Sequence, residues 1–220
     1  MATVLEVEVV PETMADLLKQ IGDVPLDRIR ARPAPGTATE QDLIANNESR
    51  KKFICELVDG VLVEKAMGVK ESLMANYLSY LLLTFLEGKN LGVVLGESGA
   101  LRFMPGLVRI PDVSFISFDR MTDGELPDAP IPDLVPDLAV EVLSKSNTKK
   151  EIKRKIHDYF LCGVRLVWVL QPKTQTAEVY TSPTDVRRFD NDQMLDGGDV
   201  LPGLTLPLRW VFDRSKRRKS

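Results

Sequence analysis

The chain has 220 residues, of which 44% are hydrophobic and 28% charged, with a formal net charge of −3. A chain of this length buries roughly 70% of its unfolded surface, so it needs no metal or disulfide to stabilise its core. Cys55 and Cys162 are the only cysteines and His157 the only histidine, which excludes a disulfide framework, a cysteine-rich zinc site and a histidine-rich metal site. No apolar run reaches membrane-span length, and Glu6 and Glu8 replace the basic start of a signal peptide. We therefore expect a soluble, cytoplasmic protein with no membrane partner.

Three regions are expected along the chain. Residues 1–50 read as a helical or irregular N-terminal extension, with a short helix at 12–21. Residues 51–213 form the main α/β domain, and 214–220 form a basic, flexible tail. Thr39 precedes two acids in the pattern of a capped helix start.

A hairpin and a long helix open the main domain. Asp59-Gly60 separates two apolar runs, 53–58 and 61–64, and this pairing is the strongest short-range hairpin signal. Residues 69–86 are apolar around most of a helix's girth, which predicts a central helix, and Gly88 follows in the position of a helix stop.

Strands and one further helix follow. The strand pattern covers 93–95, 100–104, 108–118 with a bend at 110–112, 138–143, 166–170 and 177–180. Thr148 and Glu151 have the spacing of a capping box, and the helix they open runs to about Cys162. A strand, one helix and a second strand form a βαβ unit, whose crossover should be right-handed. The expected fold is an α/β mixed sheet with the central helix on one side and the crossover helix beside it.

The strand at 138–143 carries one carboxylate, Glu141, in an otherwise apolar run. Alternation places Glu141 on the same face as Ala139 and Leu143. A buried carboxylate must be paired, neutral or bound to a cation, because an unpaired buried charge is costly. A salt bridge to an arginine is the structural alternative to a functional role.

Asp112 favours the functional role for Glu141. It opens the strand after Pro111, and the loop between the two acids suits neighbouring strands whose carboxylates converge. Two carboxylates plus water are the ligands that Mg²⁺ prefers, and such sites act on phosphates. Lys155, beside the buried stripe that includes Tyr159, can lean toward the sheet and is expected to orient the attacking water and stabilise the phosphate.

Several segments resemble the Uma-type restriction endonuclease family, a branch of the PD-(D/E)XK nuclease superfamily. The matching segments are CELVDGVLVE (55–64), RIPDVSFIS (109–117), PDLAVEVLSKSNT (136–148), KRKIHDYFLCGVRLVWVLQP (153–172) and DVLPGLTLPL (199–208). The resemblance implies a restriction-endonuclease-like sheet flanked by helices. It also implies that Asp112 is the first acid, Glu141 the second acid, and Lys155 with Tyr159 the helical pair beside them.

The chain departs from the superfamily pattern at two positions. The usual lysine, two residues after the second acid, is Leu143 here. The additional acid on the first long helix is Glu71, expected either as a third metal ligand or as a first-turn carboxylate that complements the helix dipole. Glu56, in the first hairpin, is expected as a sheet-edge acid or as a contributor to the site.

Two functions remain open at this point. The first is a Mg²⁺-dependent endonuclease, with Mn²⁺ as a substitute, which hydrolyses phosphodiesters in DNA and is a homodimer. The second is a catalytically silent homodimeric module of the same fold that binds nucleic acid or a protein partner. Asp112, Glu141 and Lys155 favour the enzyme, whereas Leu143 and the net negative charge favour the silent module.

Overall fold

The computed structural model describes residues 10–49, 53–66 and 68–215. Most of the basic tail that was expected at 214–220 therefore lies outside the described residues. Within them, the helices are α1 (Met14–Gln20), α2 (Glu40–Glu48), α3 (Val69–Leu86), α4 (Lys149–Leu161) and α5 (Leu208–Phe212). The strands are β1 (Cys55–Val58), β2 (Val61–Glu64), β3 (Gly92–Gly96), β4 (Leu101–Met104), β5 (Leu107–Arg109), β6 (Val113–Ser117), β7 (Leu138–Val142), β8 (Leu166–Gln171), β9 (Thr176–Tyr180), β10 (Val186–Phe189), β11 (Met194–Gly197) and β12 (Leu201–Pro207).

The strands form three sheets. A six-stranded sheet has the order β10-β9-β8-β7-β6-β3, a four-stranded sheet the order β2-β1-β5-β4, and β11 pairs with β12. β7 and β8 are parallel and are joined through α4, while the other strand pairs of the six-stranded sheet are antiparallel. The sheet is therefore mixed, as the sequence predicts, because only a crossover of helix length can join two parallel neighbours. No helix in the described residues is long and apolar enough to cross a membrane.

The two principal helices cover opposite faces of the six-stranded sheet. Leu78 and Leu82 of α3 pack in one cluster with Val140 and Trp168. Ile156 of α4 packs in a second cluster, with the strand residues that alternate with these. The expectation that the crossover helix lies beside the central helix is therefore wrong, because β7 and β8 are apolar on both faces and each face needs its own cover.

The N-terminal segment packs onto α4. Leu17 and Ile21 belong to the same apolar cluster as Ile156. Gly22 adopts φ +88°, and a Cβ there would lie 2.8 Å from Glu151 Cα, so this close approach requires glycine. The domain boundary at residue 50 stays a prediction, but the segment before it contributes to a shared core.

At the bend expected at 110–112, the strand pattern of 108–118 separates into two strands that lie in different sheets. β5 ends at Arg109 in the four-stranded sheet, and β6 begins at Val113 in the six-stranded sheet. Pro111 lies between them, and proline cannot donate a ladder hydrogen bond. Asp112 consequently lies where the chain passes from one sheet to the other.

Candidate active site at the junction of the two sheets

Asp112 is hydrogen-bonded to β7 just before β6 begins. Its backbone N–H donates to Val140 O at 2.9 Å, and its Oδ2 accepts from the Val142 N–H at 2.6 Å. The carboxylate thus takes the place of a strand carbonyl beside Glu141. Both acids are buried, with Asp112 5% and Glu141 4% exposed, so their charges need compensation from the protein or from a bound cation.

Lys155 and Tyr159 contact Glu141 from α4. They lie four residues apart and so project from the same helix face. The Lys155 Nζ lies 3.2 Å and 3.1 Å from the two Glu141 oxygens, and the Tyr159 hydroxyl donates to Glu141 Oε1. The structure therefore brings together Asp112, Glu141 and the helical pair.

Glu56 joins this cluster from the other sheet. Its Oε1 lies 3.0 Å from Lys155 Nζ and accepts from the Ile110 N–H, and its Oε2 lies 2.9 Å from Arg109 Nη1. Arg109 also donates to Asp158 on α4. The sheet-edge interpretation of Glu56 is wrong, because β1 lies between β2 and β5. The sequence feature that indicates a buried role for Glu56 is a single acid in an apolar strand, and Glu141 shows the same feature.

Lys65 contacts Asp112, and the sequence alone does not predict this contact. The lysine follows β2 directly, its side chain is 4% exposed, and its Nζ lies 2.8 Å from Asp112 Oδ1. Nothing in the local sequence distinguishes this lysine from a solvated one at the end of a hairpin. Its role depends on how the two sheets meet.

Acids outnumber cations in this buried cluster. The buried acids are Glu56, Asp112, Glu141 and Asp158. The buried cationic side chains that pair with them are Lys65, Arg109 and Lys155. Arg154 also reaches Asp158 but is partly exposed.

Burial and neighbouring charges act differently on the acids of this cluster. Burial raises its pKa, and the neighbouring charges of Asp112 and Glu56 raise it further, against the opposing charge of Lys155. At Glu56, burial also disfavours ionisation, but the charges of Lys155 and Arg109 outweigh it and lower the pKa. At Lys155, burial opposes the charged form, yet Glu141 and Glu56 raise its pKa. Burial and the two neighbouring acids therefore disfavour the charge of Glu141.

A surface cleft of about 420 Å³ opens directly after β7. It is lined by residues of the α3 N-terminus and of the loop between β7 and α4: Gly68, Val69, Lys70, Glu71, Ser144, Lys145 and Ser146. Two lysines line this cleft in a chain of net negative charge, so it is a place where a phosphate backbone could lie.

Glu71 lies in the cleft wall instead of joining Asp112 and Glu141. Its carboxylate folds over the first turn of α3, so that a Cβ on Gly68 would lie 2.3 Å from Glu71 Oε2. Leu143, at the usual lysine position, packs in the apolar cluster beneath α4. Neither residue therefore adds a ligand or a charge at the acid pair.

The carboxylates of Asp112 and Glu141 are the candidate ligands for a metal ion at this site. No group of three or more His, Cys, Asp or Glu side chains in the described ranges is arranged to hold a metal ion. Asp112 and Glu141 are nonetheless close enough for the charge of one to raise the pKa of the other. Mg²⁺ is commonly bound through one or two carboxylates, with waters and substrate phosphates completing its octahedron. The donor set fits such an ion.

Two comparisons with known proteins found a match. A family model described as Uma2, "Putative restriction endonuclease", matches residues 41–209. The chain is similar to a solved structure titled a "putative nuclease belonging to DUF820" from Anabaena variabilis, with 21% identity and a TM-score of 0.66. The match covers 80% of this chain and 97% of that chain, and at this identity it shows a shared fold. No curated protein matches the chain significantly.

Proposed function

The chain belongs to the Uma2 restriction endonuclease family, and from this premise we propose that it is a Mg²⁺-dependent endonuclease that hydrolyses phosphodiester bonds in DNA. The observation that carries the proposal is the burial of Asp112 and Glu141 in one cluster with more buried acids than buried cations, with Glu141 three residues in the chain before a cleft lined by Lys70 and Lys145. Mn²⁺ is expected to substitute for Mg²⁺. The proposed partners are DNA and a second copy of the chain.

Asp112 and Glu141 would hold the metal. A bound Mg²⁺ lowers the pKa of a coordinated water and polarises a phosphoryl oxygen. The Val142 N–H fixes Asp112, and the Tyr159 hydroxyl and Lys155 fix Glu141, so both carboxylates are oriented before substrate arrives.

Lys155 acts here as a positioning residue. Its contacts are to carboxylate oxygens on the protein, which leaves the phosphate backbone to the lysines of the cleft. Lys70 and Lys145 would hold the DNA strand through its phosphates, an interaction that weakens as salt rises.

A catalytically silent homodimeric module of the same fold is the second candidate. It is favoured by the pairing of each acid of the cluster with a protein cation, and by the apolar surroundings of Leu143. Such a module would bind nucleic acid or a protein without cleaving it.

Metal binding separates the two candidates. Asp112→Ala and Glu141→Ala should each abolish Mn²⁺ binding measured by calorimetry, and each should abolish Mg²⁺-dependent cleavage of supercoiled plasmid. Asp133→Ala is the matched control, because the side chain of Asp133 is 79% exposed and pairs with Arg102. Unchanged Mn²⁺ affinity in both site variants would contradict the metal site and favour the silent module.

A further inference from the structure

We propose that Lys65, which forms an ion pair with Asp112, is displaced by the bound metal and then contacts the phosphoryl group of the substrate. The inference rests on the proposed function and extends it by assigning the cation that faces the substrate. Three observations carry it: the contacts of Lys155, the contacts of Lys65, and the place of Lys65 in the chain.

The ammonium of Lys155 is saturated. A lysine has three N–H donors, and three carboxylate oxygens lie within 3.2 Å of Lys155 Nζ: Glu56 Oε1 and both oxygens of Glu141. The residue is 3% exposed. Lys155 could reach a phosphate only by leaving a buried carboxylate unpaired, which is costly.

Lys65 has donor capacity to spare. Among the described residues, Nζ contacts Asp112 Oδ1 at 2.8 Å and, at the limit of a hydrogen bond, the Glu97 carbonyl at 3.5 Å. Its one strong partner is thus an oxygen that a metal on Asp112 would also use. Two cations cannot share that oxygen closely, because like charges at such separations repel strongly in a buried site.

The position of Lys65 in the chain would let its ammonium group move toward the cleft when a metal displaces it from Asp112. It lies three residues before Gly68, the first residue of the cleft wall, and its four-carbon side chain is flexible. A phosphodiester bound at the metal brings oxygens to the place that Lys65 leaves. The lysine stays protonated and forms no covalent bond, so it acts by stabilising the negative charge that develops on the phosphoryl oxygens.

Lys65→Met tests the inference, with Lys153→Met as the matched control because Lys153 is exposed on the same helix as Lys155. Without the competing charge, Lys65→Met should bind Mn²⁺ about tenfold or more tightly in calorimetry without DNA. Its single-turnover cleavage at saturating Mn²⁺ should be about 10²-fold slower or more. Lys153→Met should change neither value.

Unchanged or weaker Mn²⁺ binding by Lys65→Met, or an undiminished cleavage rate, would overturn the inference. If Lys65→Met does not fold, Lys65→Arg is tested in its place, because arginine keeps a positive charge that can pair with Asp112. Lys65→Arg should cleave about tenfold more slowly or worse, because the planar guanidinium does not reproduce a compact ammonium. A wild-type rate in Lys65→Arg would overturn the inference.

The proposed function fails in a different way. Wild-type protein that neither binds Mn²⁺ nor cleaves DNA would overturn both proposals. Wild-type protein that does both, with Asp112→Ala inactive and Lys65→Met fully active, would overturn the role of Lys65 alone.

Discussion

Two buried ion clusters meet α4, and they differ in charge balance. At the start of the helix, Arg28 binds Glu151 through two hydrogen bonds of 2.9 Å, and Arg28 Nε donates to the Glu64 carbonyl at 2.8 Å. We call this the anchor pair. The second cluster lies one to two turns farther along the helix, and we call it the acid cluster: Glu56, Asp112, Glu141 and Asp158 with their cations.

The difference agrees with a structural role for the anchor pair and with the metal-binding role proposed for the acid cluster. The anchor pair has one charge of each sign, matched in the bidentate geometry that suits arginine and carboxylate. It ties the N-terminal segment to α4 and to the end of β2. The acid cluster has four buried acids and three buried cations, with the partly exposed Arg154 as a further partner of Asp158, and Glu56 and Glu141 share Lys155. A balanced cluster has little to gain from a bound metal.

The largest effect should come from breaking the anchor pair. Arg28→Ala leaves Glu151 buried without its partner and should lower the free energy of unfolding by about 3–5 kcal/mol. Because Arg28 does not contact the acid cluster, Mn²⁺ affinity of the folded variant should not change. Urea unfolding and calorimetry measure the two quantities.

Arg30→Ala is the control for this prediction. Arg30 pairs with Glu64, but its side chain is 36% exposed, so its loss should cost about 1 kcal/mol or less. Equal losses in the two variants would remove the distinction between a buried anchor and a surface pair.

Within the acid cluster, the acids should differ in what their charge contributes. Glu56→Gln removes a charge on which both Arg109 and Lys155 depend, and it should lower the free energy of unfolding by about 2–3 kcal/mol. Glu141→Gln removes a charge that burial and two neighbouring acids disfavour, and it should change the free energy of unfolding by about 1 kcal/mol or less, with either sign. Urea unfolding at neutral pH compares the variants. A larger loss for Glu141→Gln than for Glu56→Gln would contradict this difference between the two acids.

The smallest effect concerns an ion pair outside both clusters. Asp137 accepts from the Ser117 N–H at 2.9 Å and from Arg120 Nε at 2.8 Å. Burial opposes ionisation of Asp137, but these hydrogen bonds and the charge of Arg120 outweigh it and lower the pKa. Ionised Asp137 therefore stabilises the native state above its unfolded pKa, and this contribution is lost as pH falls below about 4 through the native pKa.

Asp137→Asn should accordingly flatten the loss of stability on the acid side. Urea unfolding followed from about pH 5 to pH 2 measures the slope for both proteins. A variant as acid-sensitive as the wild type would show that the lowered pKa of Asp137 does not contribute to acid stability.

Local features of this protein follow from its sequence alone. The helix start capped by Thr39 and the capping box of Thr148 form as the residue types predict, and Asp59-Gly60 makes the hairpin turn with positive φ at both residues. Alternation along β7 correctly places Glu141 on the face of Ala139. These features depend on backbone geometry and on hydrogen bonds that span a few residues, so the types of the neighbouring residues are enough to predict them.

The sequence predicts that Lys155 lies with Asp112 and Glu141, but the tertiary structure alone decided which further charges join them. Glu56 contacts Arg109 from 53 residues away, and Lys65 contacts Asp112 from the other sheet. The sequence also predicts a bend at 110–112, but not that the strands on its two sides belong to different sheets. Burial turns ordinary lysines and glutamates into partners because an unpaired charge is expensive only where water is excluded. Whether water is excluded depends on how distant strands and α4 pack together.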